Sequence, residues 1–164
     1  MNRLSIWILA GGILFAQQPQ GDAARGKAIF EGKGDCLSCH RVKLTGSRSG
    51  PELTGIGKER RATRAYLERA LLDPDADVAT ANRGVRVILK KDGTVVKGRL
   101  LDRDMFTVEL VDSQGNLKSF LKSELREVTI VTKGLMPSYK GRLSPQEVAD
   151  VVSYLTTLKG FGKQ

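Results

Sequence analysis

The sequence predicts an α+β fold, a mainly helical core interrupted by an inserted small β-sheet or partial barrel. Three observations carry that reading. Short helical patterns precede and follow residue 40, the C-terminal region holds a strongly capped one-sided apolar pattern, and residues 84–131 between them alternate as strands do.

Asp22 is a plausible N-cap for a first helix through Ala23, Ala24, Lys27, Ala28 and Phe30, which Gly32 and Gly34 end. The stretch 43–57, rich in Gly, Ser and Thr, has neither helical nor strand period and reads as loop. A second helix is expected over 63–72, with Tyr66, Leu67, Ala70 and Leu71 on one face and Asp73-Pro74 as its stop. Residues 74–83 form a connector. Val85, Val87 and Leu89 then alternate up to an Asp92-Gly93 turn, and residues 95–101 return as a hairpin partner, with Gly98 marking a bend. Residues 105–111, 117–121 and 126–131 are three further strands. In the last helix Ser144 and Glu147 form a capping box, Pro145 takes the first helical position, and Val148, Val151, Val152, Leu155 and Leu158 share a face that Gly160 closes.

With 164 residues and 40% hydrophobic content, the chain has room for one domain, or a small domain carrying an insertion, and is not disordered by composition. Its net charge of +9, from 27 basic and 18 acidic residues, suits acidic partners, anionic membranes or nucleic acid without choosing among them. Arg3 followed by an apolar run of about twelve residues has the form of a secretory leader, so residues 1–16 read as a signal peptide. The run is shorter than the roughly twenty apolar residues of a membrane span, and Leu14 stands where a small residue is preferred before cleavage. Export places the chain in the periplasm or another extracytoplasmic space, and an uncleaved leader would act as a membrane tether.

Cys36-Leu37-Ser38-Cys39-His40 has the C-x-x-C-H form of covalent haem attachment. Two thiols three positions apart can each add to one vinyl group of the porphyrin, and the imidazole that follows is carried beneath the iron. A disulfide, a zinc half-site and a thioredoxin-like redox pair are the competing readings. Zinc would need more ligands than a chain with 2 Cys and 1 His supplies, and a redox pair would want a βαβ setting.

Because His40 is the only histidine, a second protein ligand to iron has to be another residue type, and a thioether is the usual partner in electron carriers. Met1 lies in the leader. Met105 falls in an alternating stretch, where a core role is expected. Met136 sits in a Gly134-Leu135-Met136-Pro137 loop ahead of the capped helix, with Pro137 to stiffen it, and is the candidate ligand.

With these features the sequence resembles the monohaem c-type cytochrome family: a first helix, Cys36 to His40, a Gly50-Pro51-Glu52-Leu53 loop, Met136-Pro137 and a final helix. The resemblance covers the helical part and implies a mainly α cytochrome c core, with one covalently attached haem c and iron ligated by His40 and Met136. It further implies that the first and last helices cross, that the Pro51 carbonyl meets the other imidazole nitrogen of His40, and that Leu53 walls the haem. Tyr66, Leu67 and Leu71 would pack toward it. The chain departs from the compact form of the family in setting Met136 96 positions after His40; removing the 48 residues 84–131 leaves a separation of 48. The expected organisation is therefore a signal peptide over 1–16, a cytochrome c domain over 17–83 and 132–164, and a β insertion over 84–131, an arrangement that looks like certain bacterial haem-binding domains.

The strand order of the insertion is similar to that of Sm-like small barrels, which often bind RNA. An exported chain meets little RNA, and the segment lacks interleaved aromatics for stacking, Phe106 and Phe120 being expected in the core, so no nucleic acid is expected as partner. Lys90, Lys91, Lys97, Arg99, Arg103, Lys118 and Lys122 make the segment basic, which suits a redox partner protein with an acidic docking face. The expected function is an electron carrier acting by outer-sphere transfer, not an enzyme, with no catalytic residues. Two alternatives stand beside it: a haem-based gas sensor or peroxidase-like enzyme with a labile sixth position, and a partner-binding module acting through the insertion.

Overall fold

The computed structural model describes residues 19–76 and 83–161. The leader, the end of the connector and the last three residues lie outside the described residues. The fold is α+β. In chain order come α1 (Ala23–Glu31), a small hairpin of β1 (Arg41–Val42) and β2 (Thr45–Gly46), α2 (Arg64–Leu72), the strands β3 (Arg83–Leu89), β4 (Val95–Arg103), β5 (Thr107–Val111), β6 (Leu117–Leu121) and β7 (Leu125–Gly134), and α3 (Pro145–Thr157).

Each helix starts where a side chain satisfies a free backbone donor. Asp22 accepts from the Arg25 amide at 2.8 Å and Thr63 from the Tyr66 amide at 3.2 Å. At α3 the capping box is complete: the Glu147 amide donates to Ser144 Oγ, and the Ser144 amide donates to Glu147 Oε2 at 2.8 Å. The α3 helix ends at Thr157, three residues before Gly160.

The α1 and α3 helices pack directly on each other, and a glycine sets their distance. A Cβ on Gly26 would lie 1.9 Å from the Asp150 carbonyl oxygen, so the helices touch backbone to backbone there. One turn on, Phe30 meets Tyr154 edge to face, with ring centroids 5.4 Å apart. Asp150 is 2% exposed although it stands on the apolar side of α3. Its carboxylate accepts from the Asp22 amide at 2.7 Å, from Arg25 Nε at 2.9 Å and Nη2 at 3.0 Å, and from Gln146 Nε2 at 2.9 Å. These donors, the Arg25 guanidinium first, hold its pKa down at about 2.

The five longer strands form one antiparallel sheet in the order β6-β5-β4-β3-β7. Its apolar face is a core of its own, built from Val85, Val87, Leu100, Val108, Leu110 and Leu125, and it shares no residue with the helical core. Gly98 is where β4 must come close to β5, since a Cβ there would meet the Val111 carbonyl oxygen at 2.3 Å. A register shift between Leu100 and Asp102 follows. The first and last strands of the segment are neighbours, with Arg83 opposite Gly134, so the chain leaves the helical part and returns to it at adjacent points. The last strand runs to Gly134, beyond the expected end at residue 131.

Two expectations are corrected. Met105 is neither in a strand nor in the core: it lies in the turn between β4 and β5 and is 82% exposed. Phe106 beside it is 71% exposed, because Asp104 caps the turn by accepting from the Phe106 and Thr107 amides and turns the two side chains outward. Phe120 does pack against the sheet's core.

The helix crossing yields two outcomes to measure. Gly26→Ala forces the helices apart and is expected to cost at least about 1–3 kcal/mol in denaturant unfolding. Asp150→Asn is expected to cost about 1–3 kcal/mol at neutral pH. Because the Asp150 pKa is depressed in the folded state, its contribution is present above the ordinary carboxylate value of 3.8 and is lost as the pH falls toward about 2. The asparagine variant should lose that part of the acid dependence.

Candidate functional site

The motif follows α1 without a linker. Gly32 caps the helix, and the chain tightens into a turn of 3-10 helix at Cys36–Ser38, with Asp35 in the left-handed region (φ 49°). This turn sends the two cysteines different ways: Cys36 is buried in the helical core, while Cys39 is exposed. Both thiols are free. Burial pushes the Cys36 thiol above its ordinary value. Among the described residues no group of three or more His, Cys, Asp or Glu is placed to hold a metal ion, which leaves a zinc half-site without partners.

His40 Nδ1 lies 2.8 Å from the Pro51 carbonyl oxygen. With Nδ1–H donating there, Nε2 is the nitrogen left for a metal. Burial pushes the pKa of the imidazole below its ordinary value, with Arg99 acting in the same direction, so the neutral form that binds metals is favoured.

The loop that carries Pro51, expected to be irregular, is in fact closely tied to the motif. β1 and β2 pair as a hairpin with Lys43 at positive φ (57°) in its turn. The Ser47 amide donates to the Leu37 carbonyl at 2.9 Å and the Gly50 amide to the Cys39 carbonyl at 2.7 Å. Gly50 lies flat against the imidazole: a Cβ there would sit 3.1 Å from His40 Nδ1. Thr54, buried at 5% exposure, closes the loop by accepting from the Lys43 amide and donating to Glu52.

The apolar cluster that holds Cys36 is completed by α2 and the stretch between β7 and α3. Leu67 and Leu71 are buried in the same apolar cluster as Cys36, and Leu37, Leu53, Tyr66 and Met136 pack against it. The structure thus brings Cys36, Leu53 and Met136 to one cluster, with the His40–Pro51 pair at the loop beside it. Met136 is half-buried. Its loop is fastened on both sides: the Gly134 amide donates to Asp75 Oδ1 at 2.7 Å, Ser138 Oγ to the Leu72 carbonyl at 2.6 Å and the Tyr139 amide to the Leu71 carbonyl at 2.9 Å.

Tyr139 is the residue that reading the sequence missed. It is 5% exposed, and its hydroxyl donates to the Gly34 carbonyl at 2.6 Å, joining the Met136 loop to the turn before Cys36. Burial and the neighbouring Cys36 thiol push its pKa up to about 12, so it remains a donor. The Arg142 guanidinium stacks over the ring, 4.9 Å from its centroid. The available signal was a tyrosine three residues after the candidate methionine, but its partner is a backbone carbonyl 105 positions away, which no sequence pattern announces.

Residues 23–94 match the family model of cytochrome c. The match takes in α1, both cysteines, His40 and the Pro51 loop. The match supports a c-type cytochrome. The chain is similar to a cytochrome c from Guizotia abyssinica, 28% identical over 143 residues, covering 86% of this chain and 94% of the relative. A cytochrome c domain implies covalently attached haem c with its iron. The residues present fit that group: two free thiols at the required spacing, an imidazole with one nitrogen already engaged, and apolar side chains around them.

Tyr139→Phe removes one hydroxyl and strands a buried carbonyl. It is expected to lower the stability of the protein by about 1–3 kcal/mol in denaturant unfolding, with no effect on covalent haem content by pyridine haemochrome assay.

Proposed function

We propose that the protein is an exported monohaem electron carrier whose iron is held by His40 and Met136, and which passes electrons by outer-sphere transfer. The observation that carries this reading is the hydrogen bond from His40 Nδ1 to Pro51, which commits one ring nitrogen and orients the other. The family is generally one of electron transfer between protein partners and not of enzymes.

Haem c supplies a one-electron couple when bound, and Met/His ligation raises its potential. The chain's own residues would do the rest. Cys36, buried, and Cys39, exposed, would hold the haem by its two vinyl groups between the apolar core and the surface, where outer-sphere exchange with a partner could occur. Leu53, Leu67, Leu71 and Tyr66, which belong to or pack on the Cys36 cluster, would exclude water from the haem. The fastened loop would present the Met136 sulfur, and iron held by both His40 and Met136 would offer a substrate no place to bind. A labile sixth position would instead support the gas-sensing or peroxidase-like alternative.

In this reading residues 84–131 are an insertion into a cytochrome c domain formed by 17–83 and 132–164. The paired stems at Arg83 and Gly134 and the separate sheet core support it. The exposed Lys90, Lys91, Lys97, Arg103 and Lys118 support a docking surface for an acidic redox partner, the module's own binding role. Arg99 and Lys122 do not belong to that surface, since Arg99 bonds to the Ser49 and Arg48 carbonyls and Lys122 to the Asp104 carbonyl. The leader-like sequence of residues 1–16 supports export, with the periplasm as the compartment, and c-type domains are typically extracytoplasmic or secreted. Among the described residues no helix is long and apolar enough to cross a membrane.

The test is the optical spectrum of the purified protein, oxidised and reduced, with carbon monoxide added to the reduced form. A low-spin spectrum, a ferric sulfur-to-iron band and no carbon monoxide response are expected. Met136→Ala should abolish the band, admit carbon monoxide and lower the potential; ready carbon monoxide binding by the unaltered protein would overturn Met136 as ligand. Cys36→Ser with Cys39→Ser should abolish covalent haem by pyridine haemochrome assay and leave a poorly folded chain by circular dichroism.

A further inference from the structure

Arg99 stands in β4, within the sheet, yet its guanidinium reaches out of it. Nε donates to the Ser49 carbonyl at 3.0 Å and Nη2 to the Arg48 carbonyl at 3.2 Å. These carbonyls lie two and three residues before Pro51, whose own carbonyl accepts from His40 Nδ1. The turn between β5 and β6 leans on the same strip of chain: the position of a Cβ on Gly115, itself at positive φ (83°), is 3.5 Å from the Arg48 amide nitrogen and from Ser47 Oγ. On its other side the strip is held by the motif, through the Ser47 and Gly50 amides. The Pro51 loop is therefore clamped between the cysteine motif and the β-sheet.

We propose that Arg99 is a positioning residue through which the β-sheet fixes the orientation of the His40 imidazole and sets the potential of the haem it ligates. The proposal rests on His40 being an iron ligand. The charge matters as well as the hydrogen bonds. Ferric haem carries one more positive charge than ferrous haem, so a half-buried guanidinium near His40 disfavours the ferric state and raises the potential. Arginine suits this place because its planar fork can grip two successive carbonyls at once, which a lysine ammonium cannot do in the same geometry.

The experiment uses the haem-loaded protein and three variants. Arg99→Met removes charge and clamp, Arg99→Lys keeps the charge, and Arg86→Met breaks an ion pair with Glu127 elsewhere in the sheet. Two quantities are read: the midpoint potential, and the exchange rate of the His40 Nδ1 proton by NMR in the reduced protein. Arg99→Met should lower the potential and speed exchange by about tenfold or more, the effect of losing a charge-assisted hydrogen bond. Arg99→Lys should restore most of the potential but leave exchange fast, and Arg86→Met should change neither. Wild-type values of both quantities in Arg99→Met overturn the proposal, as does an equal shift in Arg86→Met, which would mean general loosening of the sheet. Should Arg99→Met fail to fold, Arg99→Lys decides alone, and slow exchange there overturns the clamp. A wild-type protein whose ferric spectrum lacks hyperfine-shifted His40 ring signals overturns the ligand assignment and this proposal with it, a failure visible before any variant is made.

Discussion

The close approach of Gly26 to the backbone of Asp150 is the constraint on which the rest of the structure hangs. It lets α1 meet α3 backbone to backbone at that point, and the cysteine turn begins five residues after α1 ends. Whatever fixes α1 thus fixes Cys36. Apolar packing of Phe30, Val148, Val151 and Val152 supplies a non-directional attraction, which alone would allow the helices to slide. The Asp150 carboxylate removes that freedom by taking donors from the cap of α1, from Arg25 and from its own helix at once. A buried charge is tolerable only because every donor is in place. It contributes register as much as stability.

From that fixed end the site closes by backbone contacts more than by side chains. Gly34, Leu37 and Cys39 all offer carbonyls to partners that are distant in sequence or separated from them by the loop, and the Leu71 and Leu72 carbonyls hold the Met136 stretch. The carbonyls at the end of α2 would otherwise be unpaired, as at any helix end. Using them to hold the stretch before α3 satisfies the helix and fastens the loop together. The same economy explains how a sheet can be accommodated between α2 and that loop. Because β3 and β7 are neighbours, the path across the sheet's two stems is short, and the Gly134 amide bonds to Asp75 just after α2.

Much of this was legible in the sequence because it depends on local rules. The caps at Asp22 and Ser144, the Asp92-Gly93 hairpin and the apolar faces of α2 and α3 follow from neighbours within a few residues, and each stands where the pattern placed it, with α3 stopping before its glycine. The C-x-x-C-H spacing is local as well. What could not be read is what depends on long-range pairing. Asp150 looked like one polar residue among others, and only the fold shows that its partners stand 125 and 128 residues away. Met105 and Phe106 broke the alternation rule because an aspartate-capped turn falls where the pattern suggested strand. The stretch 43–57 lacked a period because its order comes from hydrogen bonds to the motif, not from repeating side chains.

Arg99 shows most clearly how a charge changes meaning between sequence and structure. Counted with its neighbours it is one of seven cations on a basic segment, and the natural inference is an exposed surface that steers an acidic partner. Folded, it divides from Lys90, Lys91 and Lys97: they face water, while its guanidinium is half-buried against two carbonyls, and burial pushes its pKa below the ordinary value. The distinction has a physical consequence for how the protein responds to salt. Exposed cations act through a field that falls away over about 10 Å in 0.1 M salt, so their influence on a partner weakens as ionic strength rises. A half-buried guanidinium acts over a few ångströms through protein, where screening is weaker. If the proposed roles hold, one basic segment would serve two electrostatic purposes that salt separates: partner docking sensitive to it, and the environment of His40 largely indifferent to it.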